Sequence, residues 1–449
     1  MKKIIYIFFF FLICFSNFGA FAKEKKTIRL IRDSEIEFFL QSLINDILII
    51  KNKEKNSIVP RILLNDDVNA FVTSGDKIYI NTGLLQNVSS IEEIQGILAH
   101  EIGHLQLGHF QSRKLFKNKT SNRLSLAFLT MLSLSLSQSD TDLSGLILVT
   151  KDLGLKNQSK YSRQQEMEAD IYAIKTLRAL NLSLIGLKNF FDKIDERHQI
   201  LSNESFNTYY SSHPTPKNRK DLINNFESSS DKLTNKSINF DRFKIRLDQI
   251  KIKVHVIAKD KDRLTLLNKY KDNFLKDYVI LAKNYLNGDL NQALNKMNSI
   301  IKTYNTNPFL FEICGNLNLE LNKIDKAIDN YIKAIKLSDK LNIKSNSLIK
   351  ISLARALIEN DTKQNLLKAL KILEELIPFE KSTSFLWRLI AKTSGKLKMQ
   401  SITYIALAEE QVIKNNLKKA KQYASLGLKD SNISILYKLR AKDILNLKD

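Results

Sequence analysis

The chain contains only two cysteines among its 449 residues, Cys14 and Cys314. Cys14 lies in an amino-terminal segment that we expect to be removed on export, so the mature chain keeps Cys314 alone. One cysteine cannot form an internal disulfide, which excludes a disulfide framework. Cys314 falls on an apolar helical face, and we expect it to be a small core residue.

Long apolar runs are also missing after the first twenty residues. The two longest, Leu124–Leu136 and Leu143–Leu155, fall below the roughly 18 residues that a helix needs to cross a bilayer. We therefore expect neither stretch to span a membrane.

A nucleic-acid-binding motif is absent despite a strongly basic composition of 70 Lys and Arg against 47 Asp and Glu. The lysines are scattered through helical patterns, with no glycine-laced or aromatic-laced basic motif, so we expect no nucleic-acid partner. A basic surface on an exported protein instead favours contact with an anionic membrane or an envelope polymer.

The first 22 residues have the composition of a signal peptide. Lys2 and Lys3 precede an apolar stretch at residues 4–13, and Ala20-Phe21-Ala22 forms an A-x-A cleavage site. An uncleaved anchor is the alternative. Lipidation at Cys14 is not expected, because the residue before it is not small.

The motif H-E-x-x-H occurs at His100-Glu101-Ile102-Gly103-His104. On a helix, residues i and i+4 share a face, so the two histidines can bind one metal ion. Glu101 can then act as general base toward a water at that ion. Zn²⁺ suits imidazole and carboxylate ligands, and a catalytic zinc site needs a third protein ligand. Two histidines packed on a helix by chance are the alternative.

The residues around the motif favour a buried helix. Ser90 and Glu93 are spaced as a capping box at its start. Gly103 and Gly108 are poor helix formers, which indicates close approach of another segment. An apolar stripe is formed by Ile94, Ile97, Leu98, Ile102 and Leu105.

A second helical pattern opens at Arg163 and carries Glu166 and Asp170 on one face. We expect Glu166 to be the third zinc ligand and Asp170 to accept a hydrogen bond from a ligand histidine, which fixes its tautomer. Taken alone, the pair would be an ordinary acidic helix start.

Together, these motifs resemble the metallopeptidases that include the CAAX prenyl proteases and the HtpX-type quality-control proteases. Asn69–Val72 and Ile78–Leu84 are similar to the strand pair that precedes the zinc helix in that family. Ser212-His213-Pro214 with Arg219 is similar to its downstream element. The resemblance covers residues 69–219 and implies an α+β zincin-like domain, mostly helical with a small sheet.

This resemblance extends to further site residues. It makes His213 a candidate fourth zinc contact or active-site gate, and Arg219 a group that stabilises an oxyanion or anchors the loop. The other histidines, His109, His198 and His255, are expected to be structural or exposed. Helical arithmetic puts His109 off the metal face.

Three other segments of the catalytic domain have predicted structures. Ile28–Lys53 is expected to be a helix or helix pair, and Arg61–Leu64 a strand. A hairpin strand at Asn69–Thr73 is expected to be an edge strand that pairs with substrate backbone; pairing on both sides is the alternative. Residues 124–155 are expected to form helices or a loop over the catalytic cleft or, alternatively, to touch a membrane surface.

Beyond a polar segment at Asn224–Asn239, the pattern is almost entirely helical, with spacings near the 34 residues of tetratricopeptide units. Unrelated helical pairs are the alternative. The predicted division is a signal peptide at 1–22, a zinc metalloprotease domain at 23–230 and an all-α repeat domain at 231–449. The small or aromatic residues at repeat positions are Ala293, Gly315, Ala327, Tyr331, Ala334, Ala369, Tyr404, Ala408, Ala420 and Gly427.

The combined interpretation is an exported endopeptidase with one Zn²⁺ per chain, in the periplasm of a Gram-negative-type bacterium and peripheral to its outer membrane. The resemblance implies that it degrades misassembled outer-membrane proteins, with unfolded envelope proteins as substrates. It also implies that the repeats contact the outer-membrane β-barrel assembly machinery. The alternative is a chaperone or scaffold of that assembly with a latched, rarely active zinc site.

Overall fold

A computed structural model describes most of the chain. The described residues are 27–73, 76–109, 147–150, 161–200, 213, 219–228, 240–260, 262, 270–341, 346–380, 383–430 and 433–447. The predicted signal peptide and most of residues 124–155 lie outside them. The fold is a mostly helical domain around a small sheet, followed by an all-helical array, as the sequence predicts.

Five strands form one sheet in the order β3-β4-β2-β1-β5. The pairs are antiparallel except for β2 and β4, which run parallel. The strands are β1 (Thr27–Ile31), β2 (Val59–Leu64), β3 (Ala70–Val72), β4 (Lys77–Asn81) and β5 (Ile147–Thr150). The prediction of helix throughout Ile28–Lys53 is wrong at its start, because β1 occupies that part before helix α1 (Ser34–Ile50) begins.

The two edges of the sheet bear on two predictions. Strand β3 pairs with β4 as a hairpin and, among the described strands, has no second neighbour, so its prediction as an edge strand is confirmed. Strand β5 lies at the opposite edge, paired with β1. Residues 147–150 are therefore a strand, where the sequence predicts a helix or loop.

The core of this domain is formed by helices packed on the sheet. After α2 (Thr82–Asn87) come α3 (Ile91–Gln106), α4 (Arg163–Ala179), α5 (Ile185–Ile200) and α6 (Arg219–Ser228). Apolar side chains of α1, α3, α4 and α5 join those of β2 and β4 in one buried cluster. The apolar stripe predicted on α3 lies in this cluster, with only Leu105 partly exposed.

Helix α6 overlaps the polar segment in which the sequence predicts a domain boundary. Helix α7 (Phe240–Ile257) follows and buries Leu247, Ile250 and Val254 in the core of the sheet domain. Its Ile252 is buried in a cluster of the helical array instead. The boundary at residue 230 remains a prediction, and α7 packs on both sides of it.

The remaining helices form a chain of helical pairs joined by short connections. Their bounds are α8 (Asn273–Asn287), α9 (Leu290–Thr303), α10 (Pro308–Glu320), α11 (Ile324–Lys340), α12 (Ser347–Asn360), α13 (Lys363–Glu380), α14 (Ser384–Lys396), α15 (Gln400–Ile413), α16 (Leu417–Gly427) and α17 (Ile435–Leu445). None of the described helices has the length and apolar composition needed to cross a membrane.

Small residues allow the close packing within these pairs. A Cβ on Gly315 would lie 2.6 Å from the ring of Tyr331, and one on Gly427 would lie 2.4 Å from Ile405. Ala293, Ala327 and Ala408 are fully buried at the predicted repeat positions. The predicted helical-repeat architecture is confirmed by this packing, and Cys314 is a buried core residue as expected.

Buried charges connect α1 to the helical array. Arg32 donates to Glu37 at 2.6 Å and to Glu380 at 3.0 Å. Lys253 of α7 contacts Asp33 at 2.9 Å and Glu35 at 3.1 Å. The hydroxyl of Ser34 donates to Glu312 of α10. The start of α1 therefore has ionic or hydrogen-bonded partners more than 200 positions away in the sequence.

Candidate active site

Helix α3 presents the H-E-x-x-H motif, and its first turn is fixed by polar contacts. Ser90 is the N-cap residue and accepts a hydrogen bond from the Glu93 amide at 3.3 Å. The Glu93 carboxylate accepts from the amide of Ser89, rather than that of Ser90, and from Lys193 of α5. Only one of the two hydrogen bonds of the predicted capping box forms. The Glu93 side chain instead binds the Ser89 amide and Lys193 of α5.

Glycines allow α4 and α5 to approach α3. A Cβ on Gly96 would lie 3.1 Å from Leu187 of α5, and one on Gly103 would lie 3.2 Å from Tyr172 of α4. The close approach predicted at Gly103 is therefore confirmed. At Gly108, no heavy atom of the described residues lies within 4 Å of a built Cβ, and its φ of +70° turns the chain after the helix.

Four buried side chains converge where α3 meets α4: His100, His104, Glu166 and His213 each offer one ligand atom, and these atoms lie within 4.8 Å of one another. The Nε2 atoms of His100 and His104 are 3.1 Å apart. Carboxylate oxygens of Glu166 lie 3.3 Å from His100 Nε2 and 3.5 Å from His104 Nε2. All four side chains are essentially inaccessible to solvent.

These separations fit a zinc ion. Ligand atoms about 2.0–2.1 Å from a tetrahedral ion lie roughly 3.3 Å from one another, which matches the three separations among His100, His104 and Glu166. Two imidazoles and one carboxylate are also a donor set that zinc accepts at catalytic sites. The residues present therefore suit the ion on both geometry and chemistry.

Asp170, one turn after Glu166 on α4, lies behind His100. Its Oδ1 is 2.9 Å from His100 Nδ1. Both oxygens of Asp170 also accept hydrogen bonds from Arg219, at 2.5 and 2.6 Å. Burial would raise the pKa of Asp170, but Arg219 and the hydrogen bond to His100 outweigh it and lower that pKa. A carboxylate at this position holds His100 with its Nε2 toward the cluster.

Glu101 and His213 face each other across the site. Both are fully buried, and His213 Nε2 is 3.3 Å from a Glu101 carboxylate oxygen. The other ring nitrogen, Nδ1, is 3.1 Å from Glu166. The structure thus brings His213 against both the expected base and the expected third ligand. Ser212 and residues 214–218 of its loop lie outside the described residues.

The charges of the cluster shift the proton affinities of its members. Burial lowers the pKa of His100, but hydrogen bonds to Asp170 and Glu166 outweigh it and raise that pKa to about 9. Burial lowers the pKa of His104 to about 2, with only partial compensation from Glu166. Burial would raise the pKa of Glu166, but the neighbouring histidines hold it well below its usual range. A metal binds neutral imidazole, so the pKa shift of His104 suits a ligand, whereas His100 would have to release a proton to bind the ion.

Two neighbours of His104 were not predicted as site residues. His109 is buried, and its Nδ1 lies 2.9 Å from His104 Nδ1, while Tyr161 stacks on the His104 ring at 3.6 Å between centroids. The expectation that His109 is remote from the metal face assumed a continuous helix, but α3 ends at Gln106. A glycine just after an apolar helical pattern is a common helix stop, so Gly108 could have revealed the turn. No sequence signal points to Tyr161.

Another histidine of the described residues, His255, does not belong to the cluster. His255 of α7 is buried beside Gln86, at 3.3 Å, and Asp260, at 3.5 Å, in keeping with a structural role. The side chain of His198 lies outside the described residues.

Comparisons with known proteins find similarity to metalloproteases. Residues 33–226 match Peptidase family M48. The metalloprotease LoiP of Escherichia coli strain K12 is 30% identical over 30% of this chain and 50% of its own length. The beta-barrel assembly-enhancing protease (BepA) of the same strain is 21% identical over 87% of this chain and 78% of its own length. A putative beta-barrel assembly-enhancing protease of Vibrio cholerae is 22% identical over 42% of this chain and 38% of its own length.

The extent of these matches differs among the relatives. The chain spans half or less of the length of LoiP and of the Vibrio cholerae protein. The match to the Escherichia coli assembly-enhancing protease includes the helical array as well as the sheet domain, since it covers 87% of this chain. The similarity therefore extends over both parts of the fold.

Proposed function

Starting from the Peptidase family M48 domain at residues 33–226, we propose that this protein is an exported zinc-dependent endopeptidase of envelope protein quality control. The observation that carries the proposal is the buried cluster of His100, His104 and Glu166 beside Glu101. Its separations suit one tetrahedral zinc ion, and it contains a carboxylate that is not needed as a ligand. A metal-assisted hydrolysis of peptide bonds uses this set of groups.

In this proposal His100, His104 and Glu166 hold one Zn²⁺ per chain. The ion, when bound, polarises the scissile carbonyl and makes its bound water more acidic. Asp170 accepts a hydrogen bond from Nδ1 of His100 and would keep the other ring nitrogen directed to the ion. Arg219 acts as an anchor for Asp170, which favours the anchoring alternative over a direct contact with an oxyanion.

Glu101 acts as the general base and later as the general acid. Its neighbour in sequence, His100, is a ligand, so the Glu101 carboxylate faces the position of an attacking water. The carboxylate takes the proton of that water as the new carbon–oxygen bond forms. It then delivers the proton to the amine nitrogen as the carbon–nitrogen bond breaks.

His213 gates this chemistry in the proposal. Its ring contacts Glu101 at 3.3 Å and Glu166 at 3.1 Å, so both the base and the third ligand are in contact with His213 in this arrangement. Withdrawal of His213 would free the base for catalysis. This assigns His213 the role of a latch, with the alternative that it contacts the substrate or the ion directly.

Strand β3 is the proposed site for substrate backbone. It is an edge of the described sheet and packs beside α3, which carries the ligands. An extended substrate added at this edge would be held by main-chain hydrogen bonds and chosen with little regard to its side chains. Unfolded and misassembled envelope proteins supply such extended segments.

The helical array is proposed to dock clients or the outer-membrane β-barrel assembly machinery in the periplasm. Support comes from the similarity to the Escherichia coli beta-barrel assembly-enhancing protease along both parts of the chain. The net charge of +23 favours peripheral contact with an anionic membrane surface.

A scaffold role with a rarely active site is the second candidate. One observation favours it: Glu101, Glu166 and His213 are all 0% exposed, so no substrate reaches them in this arrangement. The deciding experiment compares the protein with its Glu101→Gln variant. Loss of cleavage of an unfolded barrel protein, together with loss of support for barrel assembly in cells, is expected for a protease. Undiminished assembly with Glu101→Gln would favour the scaffold.

A further inference from the structure

We propose that His109 and Glu168 are positioning residues for His104, acting as a two-step hydrogen-bonded support for the second metal ligand. This inference rests on the proposed function, because it takes His104 to be a ligand. Neither residue contacts the expected ion position. Their role is to fix the orientation and tautomer of the ring that does.

The local fold brings His109 back to the helix that it has just left. Helix α3 ends at Gln106, and Gly108 adopts a φ of +70°, a left-handed conformation that suits glycine. The chain reverses there, so His109 lies beside His104 although it is five residues further along. His109 is 4% exposed, and its Nδ1 is 2.9 Å from His104 Nδ1.

The direction of each hydrogen bond follows from the site. His104 turns Nε2 toward His100 and Glu166, at 3.1 and 3.5 Å, so its Nδ1 must carry the proton. That proton is donated to Nδ1 of His109, which must then carry its own proton on Nε2. His109 Nε2 lies 3.0 Å from a Glu168 oxygen, and the carboxylate accepts this second hydrogen bond. Glu168 thus selects the tautomer of His109, and His109 selects that of His104.

Tyr161 completes the support of the ring. Its side chain is buried and stacks on His104 with an interplanar angle of 9°. Stacking restrains tilting of the imidazole, while the hydrogen bond from Nδ1 restrains its rotation within the plane. His104 is therefore held in both respects without an acidic group in direct contact at Nδ1.

The two ligand histidines are supported differently. His100 donates directly to Asp170, a buried carboxylate held by Arg219. Support for His104 ends at Glu168, whose side chain is 42% exposed and held by Gln164 at 2.8 Å. Because the Glu168 carboxylate is partly exposed to water, removing it should weaken zinc binding less than removing His109 does.

The test measures zinc affinity of the full mature chain by competition with a chromogenic chelator, independently of proteolysis. His109→Ala is expected to raise the zinc dissociation constant about 10- to 100-fold, the usual effect of losing such a partner. His109→Gln offers both an acceptor and a donor and should recover most of the affinity. Glu168→Gln should cost up to about tenfold. Glu359→Gln, the same change in an exposed ion pair of the helical array, should have no effect.

A folding control and a spectroscopic signature accompany the affinities. Each variant is checked by circular dichroism and thermal unfolding, and Co²⁺ is substituted for zinc. His109→Ala should alter the visible d–d bands of bound Co²⁺, because the geometry of one ligand is changed. The inference would be overturned if a folded His109→Ala protein bound zinc within twofold of the unmodified protein and its Co²⁺ bands were unshifted. Failure of the proposed zinc site has a different result: the unmodified protein, or its Glu101→Gln variant, would bind no zinc.

Discussion

Arg219 donates two hydrogen bonds to Asp170, from Nε to Oδ2 at 2.5 Å and from Nη2 to Oδ1 at 2.6 Å. The guanidinium also lies 4.1 Å from the ring centroid of Phe191. Arg219 is therefore held by a carboxylate at its edge and an aromatic ring at its face, both inside the core. Asp170, in turn, is the hydrogen-bond partner of His100, so an arginine at the start of α6 supports the metal site from behind.

Arg219→Ala is predicted to weaken zinc binding about 10- to 100-fold, because Asp170 would lose the charge that keeps it oriented toward His100. Arg219→Lys should recover little, since an ammonium group cannot make the paired contact of a planar guanidinium. Competition with a chelator measures both. If Arg219 instead stabilised an oxyanion, the alanine variant would keep its zinc affinity and lose only turnover.

One zinc per mature chain is predicted, and elemental analysis of purified protein should find about one equivalent. His100→Ala and Glu166→Ala should lose it, because each removes one of three protein ligands. Glu101→Gln should keep the metal and lose proteolysis, since Glu101 is a base and not a ligand. Full retention of zinc in both ligand variants would contradict the assignment.

His213→Ala is predicted to raise basal cleavage of an unfolded substrate while leaving the zinc content unchanged. The reason is the contact of His213 with Glu101 and Glu166, which the substitution removes. Peptide release from a quenched fluorescent substrate measures the rate. An inactive His213→Ala protein that retains zinc would make His213 a substrate or transition-state contact and exclude the latch.

The contact between Arg32 and Glu380 is predicted to couple the two parts of the fold. Arg32→Ala should destabilise the protein by about 3 kcal/mol, because buried Glu37 and Glu380 would lose a shared cation. The exposed pair Lys392 and Glu359 is the control, worth at most about 1 kcal/mol. Chemical unfolding of single and double variants gives the coupling energy. A coupling near zero for Arg32 and Glu380 would mean that this contact does not hold the parts together.

Glu312 is predicted to make stability depend on pH. Burial raises its pKa from 4.5 to about 7, in spite of the Lys253 charge, so the folded state holds this proton more tightly than the unfolded state. The stabilisation of the folded state by this bound proton is fully present below pH 4.5 and is lost as the pH rises through about 7. The Glu312→Gln variant should therefore gain stability relative to the unmodified protein across that window, by up to about 3 kcal/mol.

Thermal unfolding of both proteins between pH 4.5 and pH 7.5 gives this difference directly. Charges near Glu312, including Asp33, Glu35 and Lys253, are the same in both proteins, so their own titration largely cancels. A difference that stays constant with pH would show that Glu312 has an ordinary pKa.

The sequence predicted the parts of the site that obey a local period. His100 and His104, and Glu166 and Asp170, are each four residues apart on a helix, and the structure has both helices. His109 was missed because periodicity holds only while a helix lasts, and α3 ends at Gln106, three residues before His109, with the left-handed Gly108 between them. The turn at Gly108 thus places His109 beside His104, whereas a continued helix would have placed it away from the site.

Segments that depend on distant partners were predicted less well. Residues 28–31 have helical spacing but form β1, because strands β2 and β5 offer backbone partners on both sides. Residues 147–150 form the strand β5 for the same reason. The charges at the start of α1 gave no indication that their partners lie in α7, α10 and α13. Pairing between segments hundreds of residues apart leaves no periodic trace in either one.

The ion pairs of α1 also bear on the order in which the chain acquires its structure. In the proposed export, Arg32, Glu35 and Glu37 would cross the membrane early, whereas Lys253 and Glu380 would arrive only after more than half of the chain had crossed. Arg32 and Glu37 can pair with each other from the start, but burying Glu35 before Lys253 is present would leave a carboxylate without its cation, at a cost of several kcal/mol. The contacts at the start of α1 are therefore complete only when α7 and α13 are present. Under the proposed function, the protease domain would therefore be completed only once the helical array is present.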